Sequence, residues 1–249
     1  MPPRASARAG LRQKHPKHRQ PRQEGFIGHL LDPIDRLSET IFSVLILLTF
    51  TFAYRVFRLG MDPYEPIPPG YLIDLAVAAL GAAVAWGLID GVIYALLSVL
   101  ERGEKHRFLA SVQTAATQAE GIAAVADELD YVLAPITGEE QRRQIYVDVL
   151  DYLQDSRPQP VTLTRDDVLG GLGSVLVAVL AVLPSLLPLV LFRDTYWLAL
   201  RASNLVSFAV LFYTGYQWGR YSGTNPWKMG LTLMTVGAML ALIALLMGG

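Results

Sequence analysis

Five stretches of the chain are apolar over membrane length. Ile41–Tyr54 is almost wholly apolar and extends back through Leu37 and on to Phe57; Tyr71–Leu100, Val168–Phe192, Tyr196–Trp218 and Met229–Met247 follow. A hydrocarbon core ~30 Å thick is crossed by about 20 helical residues, so each stretch predicts a membrane-spanning helix. Arg55 and Arg58 close the first stretch and can snorkel toward headgroups. Tyr71–Leu100 is longer than a crossing needs, which predicts a tilt or a projection beyond the bilayer. The acidic, Pro-rich link Asp62–Gly70 predicts a short exposed loop.

Between the second and third stretches the pattern changes. Residues 101–165 are rich in Glu, Asp, Arg and Gln, with apolar positions recurring at Phe108, Val112, Ile122, Val125, Leu129, Val132, Ile145, Val149, Tyr152 and Leu153. That periodicity predicts amphipathic helices packed on one another. Thr137-Gly138-Glu139-Glu140 predicts a helix start with Thr137 as cap, and Thr164-Arg165-Asp166-Asp167 a second start leading into the third span. The expected insert is three short helices, one of them an extension of the second span. The expected fold is an all-α integral membrane protein. It has a basic tail over 1–28, two transmembrane helices over 29–100, a cytoplasmic helical insert over 101–165 and three more spans over 166–249.

Composition sharpens this picture only in part. Apolar residues make up 52% of the 249, but their clustering argues more than their share. The formal net charge of −1 says little because the charges are segregated. Lys and Arg gather in the tail, in Arg102, Lys105 and Arg107, and in Arg220 and Lys228. In a five-span chain these fall on one side, so the N-terminus and insert are expected in the cytoplasm and the C-terminus outside. Arg55, Arg58 and Arg193 run against that bias but are outnumbered. The tail has four prolines and no apolar core, so it is expected to be a disordered segment rather than a secretory signal. Its His15 and His18 are expected to be solvated. The chain has no cysteine, which removes disulfides, thiolate metal sites and cysteine nucleophiles. No phosphate-binding glycine loop, zinc-protease motif or nucleophile elbow occurs, so neither enzyme activity nor nucleic-acid binding is expected.

Ionisable residues inside spans are costly and therefore functional candidates. Asp90, in Trp86-Gly87-Leu88-Ile89-Asp90-Gly91, stands about ten residues before the charged end of its span, roughly 15 Å deep. It calls for a cation, a proton or a polar partner. Glu39, in Leu37-Ser38-Glu39-Thr40, sits at the start of the first span, where the helix dipole with Ser38 as cap is the competing structural explanation. Asp74 is expected at the outer interface. Pro184 and Pro188 predict a bend and freed carbonyls in the third span. Asn204 is expected to hydrogen-bond between helices, and the Gly87/Gly91 and Gly215/Gly219 pairs permit close packing that hints at oligomers. In the insert, Glu101 and Glu104 share a helix face, with His106 off it. Asp127, Glu128, Asp130 and the Glu139–Glu140 pair form further acidic clusters. Oxygen-rich clusters suit divalent cations, against the ordinary alternative of a solvated, salt-bridged surface.

The layout resembles the vacuolar iron transporter family over Leu30 to the C-terminus: two spans, a helical insert, three spans. Leu37-Ser38-Glu39-Thr40-Ile41 falls where that family opens its first span with a Ser-Asp-Gly-Leu type sequence, so Glu39 stands in for the metal-binding Asp. Ala85–Glu104 is similar to the small-residue second span, with Asp90 at or near its Met ligand. Glu101 and Glu104 resemble the start of the glutamate-rich metal-loading helices, and Pro184–Pro188 the third-span proline motif. Gly215, Gly219, Pro226, Gly230 and Gly237 are similar to the last two spans. The Met, the Gly-rich first-span motif and the dense Glu run are missing. The resemblance implies a homodimer in a bacterial inner membrane, without a permanent cofactor, exporting iron or manganese from the cytoplasm in exchange for protons. Its metal ligands would be Glu39, Asp90, Glu101 and Glu104. An Asp in place of Met moves the site from soft toward hard ions. The alternative is a non-transporting scaffold or metal sensor acting through the insert.

Overall fold

The computed structural model describes residues 32–60, 66–158 and 160–246. The basic tail, most of the acidic part of the first loop and the last three residues lie outside that set. Among the described residues there are seven helices and no strand: α1 (Pro33–Leu59), α2 (Tyr71–Gln113), α3 (Gln118–Leu133), α4 (Glu139–Gln154), α5 (Arg165–Leu191), α6 (Tyr196–Tyr221) and α7 (Pro226–Leu246). Five of them, α1, α2, α5, α6 and α7, are long and apolar enough to cross a membrane.

Local chemistry sets the ends. Pro33 occupies the first turn of α1, where its missing N–H costs nothing, and Gly60 ends the helix at φ 71°. Gly70 precedes α2 at φ 83°, a conformation that only glycine adopts without strain. Thr164 caps α5 by a reciprocal box with Asp167, as its sequence predicts. The start of α4 departs from expectation. Thr137 turns its hydroxyl back to the Leu133 carbonyl at 2.7 Å, closing α3, and Gly138 takes the cap position with Gln141 accepting from its N–H at 3.3 Å.

α1 packs against all four other spans, α2 lies along α5, and α6 along α7. Leu47, Leu75, Ala79, Val182 and Leu189 fill the space between them. Away from these contacts the helices present bare apolar faces, from Val77 to Leu100 on α2 and from Val168 to Leu191 on α5. Such faces are what hydrocarbon solvates, and no water-soluble surface would leave them uncovered.

The glycine pairs act inside the chain. A Cβ on Gly91 would strike the Gly171 backbone, and one on Gly215 would lie 2.6 Å from the Met229 carbonyl oxygen. They seat α2 on α5 and α6 on α7, so their spacing carries no argument for oligomers. α5 continues through Pro184 and Pro188 as one helix. Asn204 makes no side-chain hydrogen bond among the described residues; its neighbour Ser203 links the helices instead, donating to the Ser185 carbonyl at 2.6 Å.

α2 is 43 residues long, about 65 Å at helical rise, roughly twice a hydrocarbon core. Its overhang joins α3 and α4 in the expected three-helix insert, whose core is Val112, Val125, Tyr146 and Leu150. Tyr152 and Val132, expected inside, are exposed. Tyr146 and Leu150 take the inner face of α4, where the Tyr146 hydroxyl donates to Asp130 at 2.8 Å. Burial first, and then that bond, push the Tyr146 phenol above its ordinary pKa. Asp130 also pairs with Arg142 at 3.2 Å, so this member of the acidic clusters is a structural one.

Candidate functional site

Glu39 is the seventh residue of α1, whose cap position is Asp32, so Ser38 does not cap it and the helix terminus does not explain it. It is 2% exposed. One carboxyl oxygen accepts from the Ser43 hydroxyl at 3.2 Å, a turn further on. The other is buried with no hydrogen-bond partner among the described residues. Leaving such an atom unsatisfied in apolar surroundings costs about 1–3 kcal/mol or more, which marks the place for a proton or a cation.

Asp90 of α2, half-buried, stands on the same cavity as Glu39. Both line a cavity of about 120 Å³ together with Asp35, Ser38, Tyr94 of α2 and Ser174 of α5. That is room for several waters or a partly hydrated ion. Two adjacent carboxylates repel unless a proton or a cation sits between them. Phe42 and Trp86, edge to face with centroids 6.0 Å apart, are close neighbours, and the Trp86 indole N–H is buried without a partner.

Asp90 is shallower than its own helix suggests. Gly91 stands against Gly171, four residues from Asp167, so Asp90 lies only about 6 Å inside the charged start of α5. The difference arises because α2 overruns its neighbours. The cavity therefore opens close to the end of the bundle that carries the insert.

The mouth is acidic. Asp35, exposed at the start of α1, lines the cavity with Glu39 and Asp90. Glu101 does not line the cavity; it is exposed and holds Lys105 at 3.8 Å. Glu104 is exposed and outside this group. Among the described residues, no three His, Asp or Glu side chains converge as they would around a metal ion. Beside the entrance, both terminal nitrogens of Arg102 grip the Asp167 carboxylate, one of them at 3.1 Å. This ion pair fastens α2 to the start of α5. Asp74 sits at the opposite end of α2, paired with Arg58 at 3.5 Å.

Asp35, Ser43 and Ser174 were not picked out by the apolar pattern. Two of them carry a signal that could have found them. Asp35, Glu39 and Ser43 recur every four residues, which places them on one stripe of α1.

Fold and site together define a class: a membrane protein, all-helical among the described residues, with five helices of spanning length and a cavity where α1, α2 and α5 meet that is lined by buried Glu39 and half-buried Asp90. The chain matches no protein-family model and no curated protein.

Proposed function

We propose that the protein is a proton-coupled carrier of divalent cations, exporting iron or manganese from the cytoplasm. The observation that carries the reading is the Glu39–Asp90 pair in an acid-lined cavity, Glu39 buried with one carboxyl oxygen unpartnered among the described residues. An acidic entrance concentrates cations. A carboxyl pair can hold a proton in one state and, once deprotonated, a metal ion in the other, so the two cargoes compete for one site. Glu101 and Glu104 would receive the ion from the cytoplasm and pass it toward Asp35. All the oxygens at the site are hard donors, which suit manganese and remove the soft ligand that would select ferrous iron. The layout similar to the vacuolar iron transporter family supports the same reading, with a homodimer supplying further ligands across its first spans.

The test is manganese flux into proteoliposomes under an imposed pH gradient. Wild type is expected to move the ion with the gradient, and Glu39→Gln or Asp90→Asn to lower the initial rate by at least about tenfold, since each removes a charge that the ion must meet. Equal flux in wild type and Asp90→Asn would defeat the proposal.

One observation favours a second reading, in which the spans are a scaffold and the insert docks a partner. Tyr131, Ile136 and Tyr152 stand 82%, 72% and 79% exposed on the insert. That reading gains if wild-type liposomes show no flux of any divalent ion.

A further inference from the structure

A second pocket lies where the insert meets the membrane spans. It encloses about 440 Å³ and takes Arg102, Lys105 and His106 from α2 and Arg157 from the segment after α4. Phe108 and Leu153 give it an apolar wall, and none of its lining residues is acidic. The four basic side chains are not equally free. Arg102 is held by Asp167, although its Nε is buried with no hydrogen-bond partner among the described residues. Lys105 pairs with Glu101 at 3.8 Å, but both are largely exposed, and an exposed pair at that distance is weak. Arg157 has no ion pair among the described residues. The pocket therefore has a net positive lining, while the neighbouring cavity of Glu39 and Asp90 is acidic.

Its height says what the positive lining faces. The last bare apolar side chain of the α2 span is Leu100, and the first of α5 is Val168. The Arg102 guanidinium meets Asp167, the residue just before the α5 apolar run, which sets this side of the pocket at the level where a bilayer presents its phosphates, with Lys105 a turn further on. Arg and Lys recognise phosphate oxygens by charge-assisted hydrogen bonds, and basic pockets beside span ends suit anionic headgroups. An acyl chain leaving the pocket would run down the bare faces of α2 and α5.

We propose that this pocket binds the phosphate of an anionic phospholipid headgroup, clamped between the insert and the spans. The inference is independent of what the carboxyl pair carries.

Native mass spectrometry of the full chain in detergent, with phosphatidylglycerol or phosphatidylcholine added, tests it. Wild type is expected to retain phosphatidylglycerol in preference. The double variant Lys105→Gln/Arg157→Gln is expected to lose affinity for it by roughly fivefold per basic side chain removed. Both residues are exposed, so the fold should survive, and Arg143→Gln, an exposed Arg outside the pocket, should behave as wild type. A lipid preference that persists in the double variant, or no preference between the two lipids, would overturn the proposal. A third arm adds inorganic phosphate: no displacement of the lipid supports the headgroup, whereas displacement at equal concentration assigns the pocket to soluble phosphate and rejects the lipid.

Discussion

At Gly91 the backbone of α2 comes so close to Gly171 of α5 that no side chain fits between them. At Gly81, ten residues earlier on the same helix, a Cβ would meet nothing within 4 Å. The same substitution should therefore have opposite signs at the two sites. Gly91→Ala is expected to force the helices apart at a cost of about 1–3 kcal/mol. Gly81→Ala should stabilise by roughly 0.5–1 kcal/mol, because alanine has less freedom to lose in a helix. Thermal unfolding of the two variants in detergent measures this, and a lower melting temperature for both would show that α2 tolerates no change at either face. The Gly87–Gly91 spacing is visible in the sequence as a capacity for close packing. Which helix uses it is not, because glycine carries no mark of its partner.

Among the elements, the insert depends most on one contact layer. Leu150 of α4 is 1% exposed and lies over Gly121 of α3, where a Cβ would come within 2.7 Å of its methyl group. Leu150→Ala should cost about 2–5 kcal/mol, the usual range for a buried leucine that leaves a cavity. Hydrogen exchange should then speed up across α3 and α4 while α5 to α7 stay protected. Uniform deprotection of all helices would show instead that insert and spans unfold as one unit. The insert's three helices were legible from apolar periodicity, and Thr164 from its capping box. The inner face of α4 was not. Ile145, Val149 and Tyr152 make an equally good stripe to Tyr146, Val149, Leu150 and Leu153 on periodicity alone. The contacts with α3 and the bond from Tyr146 to Asp130 choose between them.

For the whole molecule, five helices of spanning length would, if all cross, place the two ends of the chain on opposite sides. With the Lys/Arg-rich segments inward, the C-terminus after α7 is expected outside. The weakest link is α6, where Arg201 interrupts the apolar run; it is exposed and five residues past the start of the helix at Tyr196, close enough to the end to snorkel. A C-terminal reporter active only outside the cytoplasmic membrane should give signal. A reporter active only in the cytoplasm would reduce the number of crossings to an even one.

The sequence by itself determined the number of apolar helices, the break between the second and third spans, and the two carboxylates that deserve testing. These follow from length and hydropathy, which are properties of single segments, and from the cost of a charge in hydrocarbon. Only the tertiary structure decided that Glu39 and Asp90 face each other. They lie on different helices far apart in the chain, and their meeting on one cavity depends on how α1 and α2 are rotated; the Gly91–Gly171 contact and the Arg102–Asp167 ion pair help to set α2 against α5. The depth of Asp90 was decided in the same way. One helix alone cannot report it, because α2 runs past the end of the bundle, and the level of the site is measured against the start of α5.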